Sequence, residues 1–117
     1  MISEYKDVTV VNFNNVSVLD SANIEILGRA MLDLVEKQDR RKLVLDFGAV
    51  KFMSSQALGS MLQLKKALDV VKGSMIIAGM RPDLYKVFKI TNLHKMFTFV
   101  DEMDAGLEKF GVNVPKG

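Results

Sequence analysis

The 117-residue chain is long enough for one domain with one core, and its 49% hydrophobic and 26% charged residues are typical of globular rather than disordered proteins. A formal net charge of +2, from 16 basic and 14 acidic residues, argues against nucleic acid as the main partner, because polyanion binding requires clustered Lys and Arg. The absence of cysteine excludes disulfides, thiol nucleophiles and Cys-ligated metal sites.

The first predicted elements are a strand and a helix. The sequence DVTVVNF, Asp7 to Phe13, is rich in β-branched and aromatic residues and favours a strand, and Asn14-Asn15 predicts a turn after it. VSVL then leads to Asp20-Ser21, either of which can cap a helix N-terminus. The apolar residues that follow recur three and four positions apart and predict one buried helix face: Ile24, Leu27, Met31, Leu34 and Val35.

Two strand–helix units follow in the middle of the chain. KLVLDF, from Lys42, and SMIIAGM, from Ser74, are short apolar runs of the kind expected for strands buried on both faces. A broad helical pattern begins at Gln56, and Gly73 stands where a C-terminal cap is expected. Pro82 predicts the first turn of the next helix, where its missing N–H has no cost.

The chain closes with a strand, a short helix and a tail. MFTFV, ending at Val100, predicts the strand, and Asp101 opens a helix that continues to Phe110. Because strands and helices alternate, we expect a single-domain α/β fold with about four helices packed on a mixed, mostly parallel sheet. The domain should occupy residues 1–112, followed by a short tail at 113–117.

The sequence contains no recognisable catalytic, metal or cofactor motif. His94 is the single histidine and has no second ligand at helix or strand spacing, so we expect a surface or helix-end residue. No glycine pattern matches a phosphate-binding loop. We therefore predict a protein that is not an enzyme and binds no metal or cofactor.

The hydropathy pattern predicts a cytoplasmic protein. MISEYKDVTV lacks the basic start and apolar core of a secretory signal, and no uncharged apolar run approaches the roughly 20 residues that a membrane-spanning helix needs. We expect no insertion into a membrane.

Ser54 and Ser55 lie between an apolar segment and the start of a predicted helix. A hydroxyl there can accept a hydrogen bond from the first free amides of the helix, which is a purely structural role. The same position suits contact with a partner, because ligands meet α/β sheets at the carboxyl ends of strands. An exposed hydroxyl there could also be phosphorylated, which would add a charge of about −2.

The segment KLVLDFGAVKFMSSQALGSML resembles the signature of the STAS domain, the fold of bacterial anti-sigma factor antagonists. That signature runs from an apolar strand through Asp and a short loop to Phe-Ile/Met and Asp-Ser-Ser-Gly-Leu-Gly. The entry VSVLDSANIEIL and the closing segment RPDLYKVFKITNLHKMFTFVDEMDAGLEKF are also similar to the family, so the resemblance covers nearly the whole chain.

The resemblance implies a regulatory binding module. In such systems the antagonist binds an anti-sigma factor, itself a serine kinase, and so releases a sigma factor; phosphorylation of the antagonist breaks the complex and a phosphatase restores it. The resemblance places the partner-binding surface at one helix entry and the following corner: Asp20, Met53, Ser54, Ser55, Gln56, Ala57 and Gly59.

This chain departs from the family pattern at the phosphorylated position. Aligning Phe52-Met53 with the motif puts Ser54 on the family's Asp, Ser55 on its first serine and Gln56 on the phosphorylated serine. Ser55 and Ser54 are therefore the phosphorylation candidates, with Ser55 preferred as closer to the helix start. The alternative is a STAS module that acts without phosphorylation, as a scaffold or as a subunit of a larger assembly such as a lipid-transport ATPase.

Overall fold

The computed structural model describes residues 2–5, 7–13 and 16–110, which form an α/β fold. The turn predicted at Asn14-Asn15 and the tail predicted at 113–117 lie outside the described residues. In chain order the elements are β1 (Ile2–Tyr5), β2 (Val8–Asn12), β3 (Val18–Leu19), α1 (Ser21–Glu36), β4 (Lys42–Asp46), β5 (Phe52–Met53), α2 (Ser55–Val70), β6 (Ser74–Ala78), α3 (Pro82–Ile90), a 3₁₀ turn (Leu93–Lys95), β7 (Thr98–Val100) and α4 (Met103–Lys109).

The main sheet has five strands in the order β1-β2-β4-β6-β7. Strands β2, β4, β6 and β7 pair in parallel, and only β1 is antiparallel to its neighbour. This arrangement confirms the predicted mixed, mostly parallel sheet. Strands β3 and β5 form a separate two-stranded parallel ribbon.

Alternate residues of the central strands pack into two hydrophobic clusters on opposite faces of the sheet. Leu43 and Leu45 of β4 pack in a large cluster with buried residues of α1, α2 and α3, such as Leu64. Val44, between them, packs in a smaller cluster with Leu107 of α4. Three helices therefore cover one face and α4 covers the other, which confirms the prediction of four helices packed on a sheet.

The C-terminus of α2 is capped one residue earlier than predicted. Lys72, and not Gly73, has the left-handed conformation, with φ 59°. The N–H groups of Lys72 and Gly73 donate to the carbonyls of Asp69 and Leu68, which is the Schellman pattern. Gly73 is needed for space, because a Cβ at this position would lie 2.6 Å from the Arg41 carbonyl oxygen.

The closing elements begin later than the sequence predicts. The last strand starts at Thr98, because the chain first passes through the 3₁₀ turn, and the last helix starts at Met103 after Glu102 as its N-cap residue. Pro82 occupies the first turn of α3, as predicted.

Candidate functional site

The β3–β5 ribbon brings the N-termini of α1 and α2 together at one corner of the molecule. Val18 pairs with Phe52 and Leu19 with Met53, and the Ser54 N–H donates to the Leu19 carbonyl at 2.7 Å. Each strand leads within two residues into its helix, and the two helices pack against each other. The predicted residues Asp20 and Ser54, 34 positions apart in the sequence, therefore cap two neighbouring helices.

Asp20 caps α1 through a reciprocal pair of hydrogen bonds. The Asn23 N–H donates to Asp20 Oδ1 at 2.9 Å, and the Asp20 N–H donates to Asn23 Oδ1 at 2.9 Å. The Asn23 amide group also donates to the Val18 carbonyl at 2.7 Å, which ties the helix start to β3. The Asp20 carboxylate is thereby fixed, but exposed, at the positive end of the α1 dipole.

The two serines at the start of α2 have different environments. Ser54 is the N-cap residue, half-buried, and its Oγ accepts a hydrogen bond from the Ala57 N–H at 3.1 Å. Ser55 is the first residue of the helix and is exposed. No acidic residue lies in the first turn of α2, so its positive end is not neutralised from within the helix.

Gln56 is exposed and lines a groove between α1 and α2 with a volume of about 240 Å³. Gly28 of α1 and Ser60 of α2 lie in the same groove, where a Cβ on Gly28 would be 3.3 Å from Ser60 Oγ. The position that the resemblance aligns with phosphoserine therefore faces the α1–α2 groove. Ser55 projects about 100° away around the helix axis.

The other predicted residues at this corner differ in exposure. Gly59 is exposed and Met53 is half-buried, so both can contribute to a surface. Ala57 is 0% exposed and packs in the large hydrophobic cluster. The methyl group of Ala57 therefore lies beneath the surface of the corner, and a contact of Ala57 with a partner stays a prediction.

The structure adds an apolar surface that the sequence analysis did not single out. Phe52 is 69% exposed and Val18, its partner in the ribbon, is 43% exposed. Both occur in short apolar segments that look like ordinary buried strands, so the sequence gives no signal of their exposure.

The described residues contain no other grouping that indicates chemistry. No three His, Cys, Asp or Glu side chains among them could hold a metal ion together. His94 lies in the 3₁₀ turn, half-buried, with its ring edge-on to Tyr85 at a centroid distance of 6.3 Å. Among the described residues, no helix has the length and apolar character needed to span a bilayer.

Comparison with known proteins places this architecture in a family. The model of the STAS domain family matches residues 1–106. The candidate anti-sigma factor antagonist BtrV of Bordetella bronchiseptica is 30% identical over 99 residues, a match that covers 85% of this chain and 84% of BtrV.

Solved structures show the same fold at low sequence identity. TM1081 of Thermotoga maritima, a candidate anti-sigma factor antagonist, superposes with a TM-score of 0.85 at 18% identity and covers 93% of this chain and 92% of its own. SpoIIAA of Bacillus, an anti-sigma factor antagonist solved unphosphorylated and phosphorylated, gives a TM-score of 0.75 in both forms. Its unphosphorylated form is 17% identical, with 95% of this chain and 96% of SpoIIAA covered.

Proposed function

Because the chain belongs to the STAS domain family, we propose that it is an anti-sigma factor antagonist that binds an anti-sigma factor, itself a serine kinase, and so relieves inhibition of a sigma factor. The observation that carries this proposal is the pairing of two helix N-termini at one corner, with Ser55 and Gln56 exposed there. The antagonist named among the relatives, BtrV, supports the same class of function.

The contact surface that we propose consists of the exposed and half-buried groups of this corner. Asp20 supplies a fixed carboxylate, and Met53 supplies an adaptable apolar side chain. Gly59 leaves the α2 backbone open, since a Cβ built on it would meet no neighbouring side chain or other element within 4 Å. A partner could therefore approach the first turns of α2 closely.

Phosphorylation of Ser55 would regulate this contact. The Ser54 hydroxyl is engaged as the helix cap, whereas Ser55 is exposed at the first helical position. A phosphate of about −2 charge would be stabilised there by the α2 dipole and by first-turn amides that have no intrahelical acceptor. The same charge beside Asp20 would repel an acidic partner surface, and a phosphatase would restore binding.

A second candidate is a constitutive STAS scaffold or subunit, and Gln56 favours it. The side chain at position 56, which the resemblance aligns with phosphoserine, is an amide and lines the α1–α2 groove. Because Ser55 projects from a different side of the helix, its phosphate would not enter the same groove. In this case partner binding would not respond to kinase activity.

The test is phosphate transfer from candidate anti-sigma kinases of the same organism. The domain is incubated with each kinase and ATP, binding is measured, and modified residues are located by mass spectrometry. We expect one kinase to bind and to modify Ser55, Ser55→Ala to remove the phosphate, and Ser55→Glu to weaken binding about tenfold or more. Gln56→Ser should create a second phosphorylated position.

The outcomes separate the two candidates. A kinase that binds without modifying Ser55, with binding unchanged in Ser55→Glu, would favour the constitutive role. If no anti-sigma factor binds the wild-type domain, the proposed antagonist function is wrong.

A further inference from the structure

A second surface lies beside the corner, between the β3–β5 ribbon and α3. It is a groove of about 460 Å³ lined by Lys51, Phe52 and Met53 on one wall and by Arg81, Asp83, Leu84 and Val87 on the other. The volume is within the range of roughly 300–1,000 Å³ that is usual for ligand sites. Met53 belongs both to this groove and to the proposed contact corner.

Two of the apolar side chains that line the groove are exposed to solvent. Phe52 is 69% exposed and Val87 is 40% exposed. Val18, at 43%, extends this surface across the ribbon as the partner of Phe52. Large aromatic and aliphatic side chains at a protein surface are typical of the buried centres of interfaces, where Phe, Met and Arg are enriched.

The charged side chains that line the groove determine whether an acidic or a basic ligand is favoured. Lys51 on the ribbon wall and Arg81 on the α3 wall are both exposed, and neither takes part in an ion pair within the described residues. Asp83, the one acidic group of the lining, lies in the first turn of α3, where the helix dipole stabilises it. The lining therefore carries two cations against one carboxylate, a net positive charge beside its apolar side chains.

We propose that this groove binds an acidic protein segment that inserts a large apolar side chain against Phe52 and Val87, with its carboxylates on Lys51 and Arg81. The proposal extends the proposed function, because continuity through Met53 makes this segment a second contact of the same partner. The acidic character of the segment follows from charge complementarity, and the anchor follows from the exposed apolar side chains.

A random peptide library displayed on phage and selected against the intact domain tests the proposal without any kinase. We expect the enriched peptides to carry a Leu, Phe or Trp flanked by Asp or Glu. A synthetic copy of an enriched peptide should shift the amide resonances of residues 51–53 and 81–87 in an NMR titration.

Variants then assign the binding to the groove. Phe52→Ser should weaken peptide binding about tenfold or more, as expected for an aromatic anchor. The double variant Lys51→Glu/Arg81→Glu should weaken it similarly, with a loss that shrinks as salt concentration rises. Val70→Ser, at an 83% exposed position at the far end of α2, and Lys66→Glu are the matched controls and should have no effect.

The proposal is wrong if selection enriches no peptide, if the enriched peptides lack acidic residues, or if Phe52→Ser binds them as tightly as the wild type. Because no kinase is used, these results are independent of the phosphate-transfer test. If the selection fails but a kinase binds and modifies the domain, the proposed antagonist function stands and only the second contact is wrong.

Discussion

Ser54 and Ser55 are adjacent and chemically identical, but the start of the helix places them in different environments. Ser54 precedes the first turn in extended conformation, so its hydroxyl can reach back to the Ala57 N–H. Ser55 already has helical geometry and projects into solvent. One residue of displacement thus separates a hydroxyl that caps the helix from one that is exposed to solvent.

This difference predicts unequal effects of the two alanine substitutions on stability. Ser54→Ala should lower the free energy of unfolding by about 1 kcal/mol, because a first-turn amide loses its acceptor. Ser55→Ala, the matched control, should change it by less than about 0.5 kcal/mol. Urea unfolding followed by circular dichroism measures both. Equal losses in the two variants would contradict the assignment of the cap.

At the scale of elements, the corner depends on how closely α1 and α2 approach. Gly28 is buried against Ser60, and a Cβ there would already be in tight contact with the serine hydroxyl. A larger side chain at position 28 would therefore push the two helices apart and change the groove that Gln56 lines. The contact between Gly28 and Ser60 therefore influences the position of Asp20, although it lies about two helical turns further along α1.

We predict that Gly28→Leu separates the helices. Overpacking should lower the free energy of unfolding by about 1–3 kcal/mol. It should also weaken binding of the anti-sigma partner, because Asp20 and Gln56 move apart. Ala30→Leu, at an exposed position of the same helix, is the control for adding the same side chain. Urea unfolding and a binding titration measure the two effects. Unchanged stability in Gly28→Leu would show that the helices do not need glycine at this crossing.

The elements also show where prediction from sequence succeeds. Helices α1 and α2 were predicted from the spacing of their apolar residues, because 16-residue helices contain several repeats of the pattern. Strands β3 and β5 have two residues each, too few to show any periodicity. The corner's seven residues were predicted through the family resemblance, and only the structure shows that one of them, Ala57, is buried.

At the scale of the whole molecule, one sheet connects two cores. Leu43 and Leu45 face the three-helix side, and Val44 between them faces α4. A substitution that loosens the packing on either face therefore destabilises the same strands. We expect the domain to unfold as one cooperative unit, as small single domains usually do.

Because the two clusters share the strands of one sheet, we predict that Leu107→Ala destabilises the whole domain. Leu107 is 0% exposed in the α4 cluster, so its truncation should cost about 2–5 kcal/mol. The loss should appear equally in urea unfolding and in hydrogen exchange of α2 amides on the opposite face. Lys109→Ala, at an exposed position of α4, should have little effect. Faster exchange confined to α4 would instead mean that this helix opens separately.

The sequence by itself determined the fold class, the long helices, the buried strands and the family, because these depend on local periodicity and on contiguous motifs. Only the tertiary structure decided that Asp20 and Ser54 cap adjacent helices, that Ala57 is buried and that Phe52 is exposed. Those facts depend on the pairing of two very short strands and on which side of each element meets the sheet. Contacts between residues more than 30 positions apart leave no periodic trace in the chain, so the shape of the proposed site is a property of the folded molecule alone.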